Sequence, residues 1–434
     1  MPDRFTEVTT TGYGKRITNS IGGIVVGVII FFASFVVLYN NEGSVDYSEI
    51  AKTAVEVNAS NEIDQSLNGK LLVTNAPVQS TETLGDDQFL KPGKYLVLQR
   101  DVEMYAWVEK SKSTSQSNGG GSETTTTTYE YEKKWTGNPE NSSSFHYPDG
   151  HFNPELSVQP MQKKVGDAKI GIYGVEMQSV TLPTLSTVTL NTENTDLKPL
   201  ANTTPKVAVP AVPATPGTPA ATSPVPAALT TPAAPELVNG QYIYIASAPV
   251  SSFNAPQVGD VRVSYKVLNN DTRVTLFGKL NDKTFGPYLD PNGNRFYQMF
   301  LGTKEDAIVS LHQSYVMWKW IMRGIGFLMM WIGLSMILAP IKVLSDFVPM
   351  LGYISGSLIG LITFIASLIL SGVTILAAMI FHSFVAIIIC IILVGGGIFW
   401  FLKNRGNKSG PVMPGPTPAS PGSQPPVTPA GPPL

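Results

Sequence analysis

The feature that most constrains this chain is a run of uncharged apolar residues from Ile21 to Tyr39, IGGIVVGVIIFFASFVVLY. Such a run needs a bilayer, and its length is close to the ~20 residues that cross one as a helix. It is longer than the apolar part of a secretory signal, and NNEGSVDY follows it in place of a small-residue cleavage site. It therefore reads as an uncleaved anchor over 21–40. A second apolar block covers 320–341. Arg323 lies near its outer end, placed to snorkel, and Trp318 and Trp320 are placed for an interfacial belt. A third block, 353–401, is too long for one helix at about 1.5 Å per residue. His382 is the readily ionisable side chain within it, and a break there yields spans over 355–379 and 384–402.

The expected fold is thus an α+β membrane protein with four transmembrane helices, one N-terminal and three C-terminal. A β-rich extramembrane domain, 41–319, is inserted between the first and second. Lys15 and Arg16 precede the first span and Lys403, Arg405 and Lys408 follow the last, whereas Glu42, Asp46 and Glu49 follow the first. This bias puts 1–20 and 403–434 in the cytoplasm and the domain outside it, although Lys319 and Arg323 oppose it locally. Outside means periplasmic or extracellular at a prokaryotic plasma membrane, and luminal in a eukaryote. Charged residues make up only 14% of the chain and the formal net charge is -2, a balance that does not suggest a nucleic-acid partner. The single cysteine, Cys390, cannot form an internal disulfide.

Within the domain, LLVT (71–74), YLVLQ (95–99), VEMYAWVEK (102–110) and TTYEYEKKW (127–135) read as strands. Period-two alternation sets Tyr105 and Trp107 on one face of the third, and Val102, Met104, Ala106 and Val108 on the other. The third and fourth form a hairpin with aromatic pairs across it, the Ser/Gly/Thr-rich stretch between them being a flexible loop. Strands recur at 241–246, 258–267, 272–280 and 295–302, with Val261, Val263, Tyr265 and Val267 sharing a face. A short helix is expected over 49–57, and a helix over 304–318 that feeds into the second span. The tract 199–235 is rich in Pro, Ala and Thr and reads as an extended spacer; the Pro-rich tail reads as disordered, with a proline-recognising partner as its functional alternative.

No nucleophile elbow, nucleotide-binding glycine loop or HExxH signature occurs. His146 and His151, in SSFHYPDGHFNPE, have a metal-ligand reading, but a turn-rich loop favours a structural one. Glu103 and Glu109 share a strand face about 20 Å apart, too far for a cooperating acid–base pair. Gly324, Gly326, Gly356 and Gly360 suggest close helix packing, and no span shows the polar stripe of an ion route. Neither a cofactor nor a catalytic set is expected.

Several segments, in order, resemble the TMEM43 family, also called LUMA. They are the span exit with Asn41, Glu42 and Gly43; VEMYAWVE (102–109); YEYEKKW (129–135); HFNP (151–154); PQVGDVRVSY (256–265); and Trp318, Lys319, Arg323 and Gly324 before an apolar helix. The resemblance implies the same four-span layout, a non-enzymatic role, oligomerisation, and organisation of membrane protein complexes. In animals it implies residence in the endoplasmic reticulum and inner nuclear membrane, with lamins and emerin as partners. The 199–235 insertion and Pro-rich tail depart from the family and suggest a prokaryotic member, to which nuclear partners do not apply. The residues expected to carry structure or interaction are Glu42, Gly43, Glu103, Tyr105, Trp107, Trp135, Gly259, Asp260, Arg262, Trp318 and Arg323. The expected function is a membrane scaffold contacting lipids, copies of itself and other membrane proteins. An oligomeric channel or transporter and an enzyme of envelope or lipid metabolism are the alternatives.

Overall fold

The computed structural model describes residues 3–60, 62–198, 234–346 and 349–383, with isolated positions 388, 392 and 394. Apart from those three positions the expected fourth span, together with the tail and all but the last two residues of the 199–235 spacer, lies outside the described residues. The chain begins with β1 (Asp3–Thr11), α1 (Tyr13–Glu42), α2 (Tyr47–Lys52), β2 (Val55–Glu56) and β3 (Leu71–Gln79). Two long strands follow, β4 (Tyr95–Ser117) and β5 (Glu123–Thr136). Short strands come next: β6 (Met161–Lys164), β7 (Lys169–Ile170), β8 (Tyr173–Val175), β9 (Ser186–Thr187), β10 (Glu236–Val238) and β11 (Tyr242–Ile245). After β12 (Val261–Asn269) and β13 (Thr272–Asn281) come β14 (Thr284–Gly286), β15 (Tyr288–Leu289), β16 (Arg295–Phe296) and β17 (Gln298–Leu301). The helices α3 (Lys304–Ser345) and α4 (Pro349–His382) complete the described chain.

The α+β architecture is the expected one: a sheet-rich domain lies between an N-terminal apolar helix and the C-terminal helices. Three helices are long and apolar enough to cross a membrane, Tyr13–Lys52, Lys304–Ser345 and Leu358–His382. One sheet runs β1-β5-β4-β12-β11-β10, with β6 on β4 and β9 on β12; a second runs β17-β13-β14-β8-β7-β3-β2, with β13 also pairing β3. Between them, Leu72 and Val78 of β3 meet Leu96 and Val97 of β4 and Val274 and Leu276 of β13 in one buried cluster. A second cluster lines the first sheet, where Val102, Met104 and Ala106 join Val261, Val263, Tyr265 and Val267. A third joins Ala51 and Ala54, Phe277 and Phe300 to Ala307 of α3, and so fastens the domain to the helix that enters the bundle.

Besides the short helix expected over 49–57, which runs Tyr47–Lys52 and gives way to β2, three features differ from the sequence reading. The stretch read as a flexible loop is strand: β4 and β5 pair without a break from Met104 opposite Thr136 to Ser117 opposite Glu123. Threonine favours the pleated surface, and Ser113–Thr127 and Ser115–Thr125 hydroxyls bond across it at 2.9 and 2.8 Å. The turn shrinks to residues 118–122, where Gly120 and Gly121 take positive φ. Residues 3–11, read as part of a cytoplasmic arm, form β1, antiparallel to β5 with Asp3 opposite Tyr131 and Thr11 opposite Glu123. Finally, α4 carries a hydroxyl stripe, Thr363, Ser367, Ser371 and Thr374, of which the first three are buried. Thr363, Ser371 and Thr374 donate to carbonyls of their own helix, so they serve close packing.

Helices α1 and α3 run antiparallel and cross closely at Gly27 and Gly333. A Cβ on Gly333 would sit 2.8 Å from the Gly27 carbonyl oxygen, so neither position tolerates a side chain without separating the helices. Gly326 packs on Leu38 as a contact glycine, while a Cβ on Gly324 or Gly360 would meet nothing within 4 Å. The 304–318 segment and the second span are one uninterrupted helix. It opens on a capping box in which Thr303 and Asp306 satisfy each other's backbone N–H groups.

Candidate functional site

The singled-out residues gather at two places. The first is the solvent side of the β4–β5–β12 sheet. Gly259, at φ 97°, turns the chain into β12, and a Cβ there would lie 2.9 Å from Pro154. The turn buries Asp260 completely. Its carboxylate accepts from the Tyr244 hydroxyl at 2.6 Å, and from the Ser247 N–H and hydroxyl and the Gln257 N–H, each at 2.7 Å. Four donors repay the desolvation of one buried charge. Burial and this carboxylate push the Tyr244 hydroxyl well above its ordinary pKa. The Gly259 N–H donates to the Tyr105 carbonyl at 2.9 Å, and the Tyr105 N–H to the Asp260 carbonyl at 2.8 Å, which locks the turn onto β4.

Two residues on, Arg262 donates to Glu103 at 2.7 Å. Its guanidinium lies over Trp135 at 4.7 Å and Tyr242 at 4.8 Å. Tyr105 stands directly opposite Trp135, ring centroids 5.5 Å apart. A cation held between two rings with a carboxylate on its donor edge is an internal structural unit. Trp107 is fixed differently: Asn153 accepts its N–H and donates to its carbonyl, both at 2.8 Å. This explains HFNP as a clamp on the hairpin. In the same clamp His151 stacks on the buried Tyr131 at 3.9 Å and meets Trp107 edge-on at 4.8 Å. Tyr131 donates to Glu109 at 2.5 Å, and burial first, then this bond, push its pKa up to about 12. Glu103 and Glu109 thus serve different partners. The two histidines face β1, His146 toward Glu7 at 3.2 Å and His151 toward Asp3 at 3.3 Å. Among the described residues no three His, Cys, Asp or Glu side chains gather as metal ligands.

The second place is where α1 ends. The Glu42 side chain is wholly buried and takes both Nε and Nη2 of Arg323, at 2.7 and 2.9 Å, with Lys319 at 3.5 Å. Asn41 donates to the Lys319 carbonyl at 3.1 Å. Gly43 leaves room for the His382 ring: any Cβ there would collide with it. That ring packs on Tyr39 at 4.4 Å. The Asn-Glu-Gly turn therefore ties together α1, α3 and the end of α4. Arg323 also covers Trp320, 4.8 Å from the ring centre. Trp318 is more than half exposed and lines a groove of about 560 Å³ with Asn40, Ser44 and Tyr315.

Sequence reasoning missed a third constellation, inside the domain. Asp86 accepts the N–H groups of Gln88, Phe89 and Leu90, the Tyr265 hydroxyl, and Arg100 at 3.0 Å. Burial alone would raise its pKa, but these bonds hold it below the ordinary carboxylate range. A signal was present, because Arg100 falls in the same alternation phase as Leu96, Leu98 and Val102. A charge there must be buried and paired. A fourth, Arg16 with Asp346 at 2.7 Å and Glu123 at 2.9 Å, joins sites more than 100 residues apart and left no local sequence signal.

The transmembrane protein 43 family model matches residues 104–384. The mouse protein of that name is 23% identical over 354 residues, 78% of this chain and 79% of its own length. The rat protein is 22% identical over the same shares, and the human protein 24% identical over 37% of this chain. No solved structure matches.

Proposed function

The chain belongs to the transmembrane protein 43 family and is a multi-pass integral membrane protein; on that premise we propose that it is a non-enzymatic membrane scaffold. It holds a rigid β-rich domain at the non-cytoplasmic face and gathers lipids, copies of itself and other membrane proteins there. The observation that carries this reading is the way the motif residues are spent. Asp260, Arg262, Glu103, Glu42 and Arg323 are each engaged by neighbours within the chain, which suits a frame. The continuous α3 supports the same reading, since it transmits the domain's orientation to the bundle. By the charge bias around the spans, the domain faces the periplasm or exterior of a prokaryotic plasma membrane. The Pro-rich tail faces the cytoplasm, open to a proline-recognising partner.

Chemical crosslinking in native membranes, followed by identification of what is attached, tests the reading. Defined adducts with itself and with other membrane proteins are expected. Recovery of nothing but uncrosslinked monomer would overturn it.

A further inference from the structure

In the motif that opens the second span, Lys319 and Arg323 pair with Glu42, whereas Trp318 lies outside that cluster and is 58% exposed. It lines the groove of about 560 Å³ between the end of α1, the turn into α2, and α3. The groove has two unlike ends. Val37 and Met322 belong to the apolar stretches of α1 and α3, so they stand at hydrocarbon depth. Asn40, Ser44, Ser314 and Tyr315 lie beyond those stretches, on the aqueous side. Trp318 marks the boundary, the level an indole prefers in a bilayer. A groove that turns from apolar to polar at the membrane surface matches a molecule that does the same, which is a lipid.

The charge behind the polar end selects the kind of lipid. Lys319 Nζ donates to the Tyr315 hydroxyl at 2.7 Å, so that hydroxyl keeps its own proton for an acceptor in the groove. Lys319 and Arg323 share the single carboxylate of Glu42, and two cations against one anion leave a net positive charge. The nearby carboxylate of Asp46 is engaged by the Ser48 N–H and by His312, both at 2.9 Å. Among the described residues no carboxylate lines the groove itself. A phosphodiester there would accept from Tyr315 and Ser314 and face the excess positive charge, in surroundings where such a pairing counts for more than in bulk water.

We propose that this groove binds one anionic phospholipid of the non-cytoplasmic leaflet, its phosphate at Tyr315 and Lys319 and one acyl chain against Val37 and Met322. The site rests on the scaffold reading and deepens it, because it names a lipid that the protein gathers and the place where it is held. A lipid there touches both the turn into α2 and α3, the two segments that run from the bundle to the domain core.

The test uses the full chain in detergent micelles supplied with phosphatidylglycerol or phosphatidylcholine, with bound lipid counted by native mass spectrometry. Phosphatidylglycerol is expected to be held about fivefold more strongly than phosphatidylcholine. Tyr315→Phe keeps the ring and removes the donor, and should weaken retention about fivefold. Met322→Trp fills the apolar end and should abolish it. Val373→Trp, at an exposed position on α4, which does not line the groove, should change nothing. Glycerophosphoglycerol, the headgroup without chains, should not displace the lipid. Equal retention of the two lipids, retention undiminished by Met322→Trp, or displacement by glycerophosphoglycerol overturns the site. Should Met322→Trp fail to fold by circular dichroism, Tyr315→Phe decides, and unchanged retention there overturns the site as well. Crosslinking in native membranes tests the scaffold reading separately: partners captured there while phosphatidylglycerol goes unheld would sink the site and leave the scaffold standing.

Discussion

At the scale of single residues, this protein spends its buried charges on holding turns. Asp260 is the clearest case, because its four donors all come from the segment that folds over the β11–β12 edge. Replacing it with alanine leaves the Tyr244 hydroxyl and the Ser247 N–H without acceptors. Asp260→Ala is therefore expected to cost about 3 kcal/mol of domain stability. Denaturant unfolding in detergent, followed by tryptophan fluorescence, measures it, and a loss under about 1 kcal/mol would contradict the account. Asp86 allows a second prediction, in pH. Its folded pKa lies below the unfolded one, so the unfolded chain takes up the proton first as pH falls. The stability it contributes is complete above the unfolded value, about 4, and drains away as pH drops through the folded value. Asp86→Asn should be less stable than the parent at neutral pH, and the gap should close progressively below about pH 4. A gap that stays constant down to the acid transition would mean that the carboxylate is not the source.

Among elements, the one most visible in the sequence was the one whose pattern carried its own period. Alternation of Val102, Met104, Ala106 and Val108 against Tyr105 and Trp107 predicted the strand and the division of its residues between two faces, and Tyr105 does pair with Trp135. The outer hairpin was not visible, because Ser111–Ser117 and Thr124–Thr128 have no apolar phase and strand pairing there rests on hydroxyl bonds across the ladder. β1 was hidden for a related reason: its partner lies more than 100 residues away, and Phe5 shows its purpose only beside Tyr131 and Tyr147. In the bundle, Gly27 and Gly333 escaped notice because a close crossing needs one glycine on each of two helices, and no local spacing joins them. The Asn-Glu-Gly turn stood out as a motif, but its role depended on α3 and α4 arriving at the same point. Its energetics are testable by a double-mutant cycle. Glu42→Ala leaves Arg323 and Lys319 without their carboxylate and should cost about 3 kcal/mol, with Arg323→Ala comparable. The double variant should cost at least about 1 kcal/mol less than their sum. Strict additivity in a micelle unfolding assay would show that the pair is incidental.

On the scale of the whole molecule, the question is what makes the domain and the bundle one object. Apart from the contacts of Arg16 with the hairpin tip at Gly121 and Glu123, two connections join them next to the domain core: the α1–α2 turn, where Asp46 meets His312 at 2.9 Å, and α3, which passes from Ala307 in the domain core to Gly333 in the bundle without a break. The first is a short turn with one partly exposed pair and has little stiffness. Rigidity must then come from the backbone hydrogen bonds of α3 between the domain and the level of Glu42. Val316 lies in that stretch and is partly exposed, so its side chain contributes little to packing. Val316→Pro removes one helix hydrogen bond and sets the ring against the carbonyl of His312, at a cost of about 3 kcal/mol, local to the joint. Both the domain and the α1–α3 crossing should survive, since neither core includes Val316. The relation between them should not. Spin labels at Asn292 and Ile341, both exposed, would read the distance across the joint in a Cys390→Ser background. A narrow distribution in the parent should broaden in the proline variant while far-ultraviolet circular dichroism changes little. If the distribution stays narrow, the turn at Asp46 is stiffer than its contacts imply, and the domain is carried by the α1 side of the bundle.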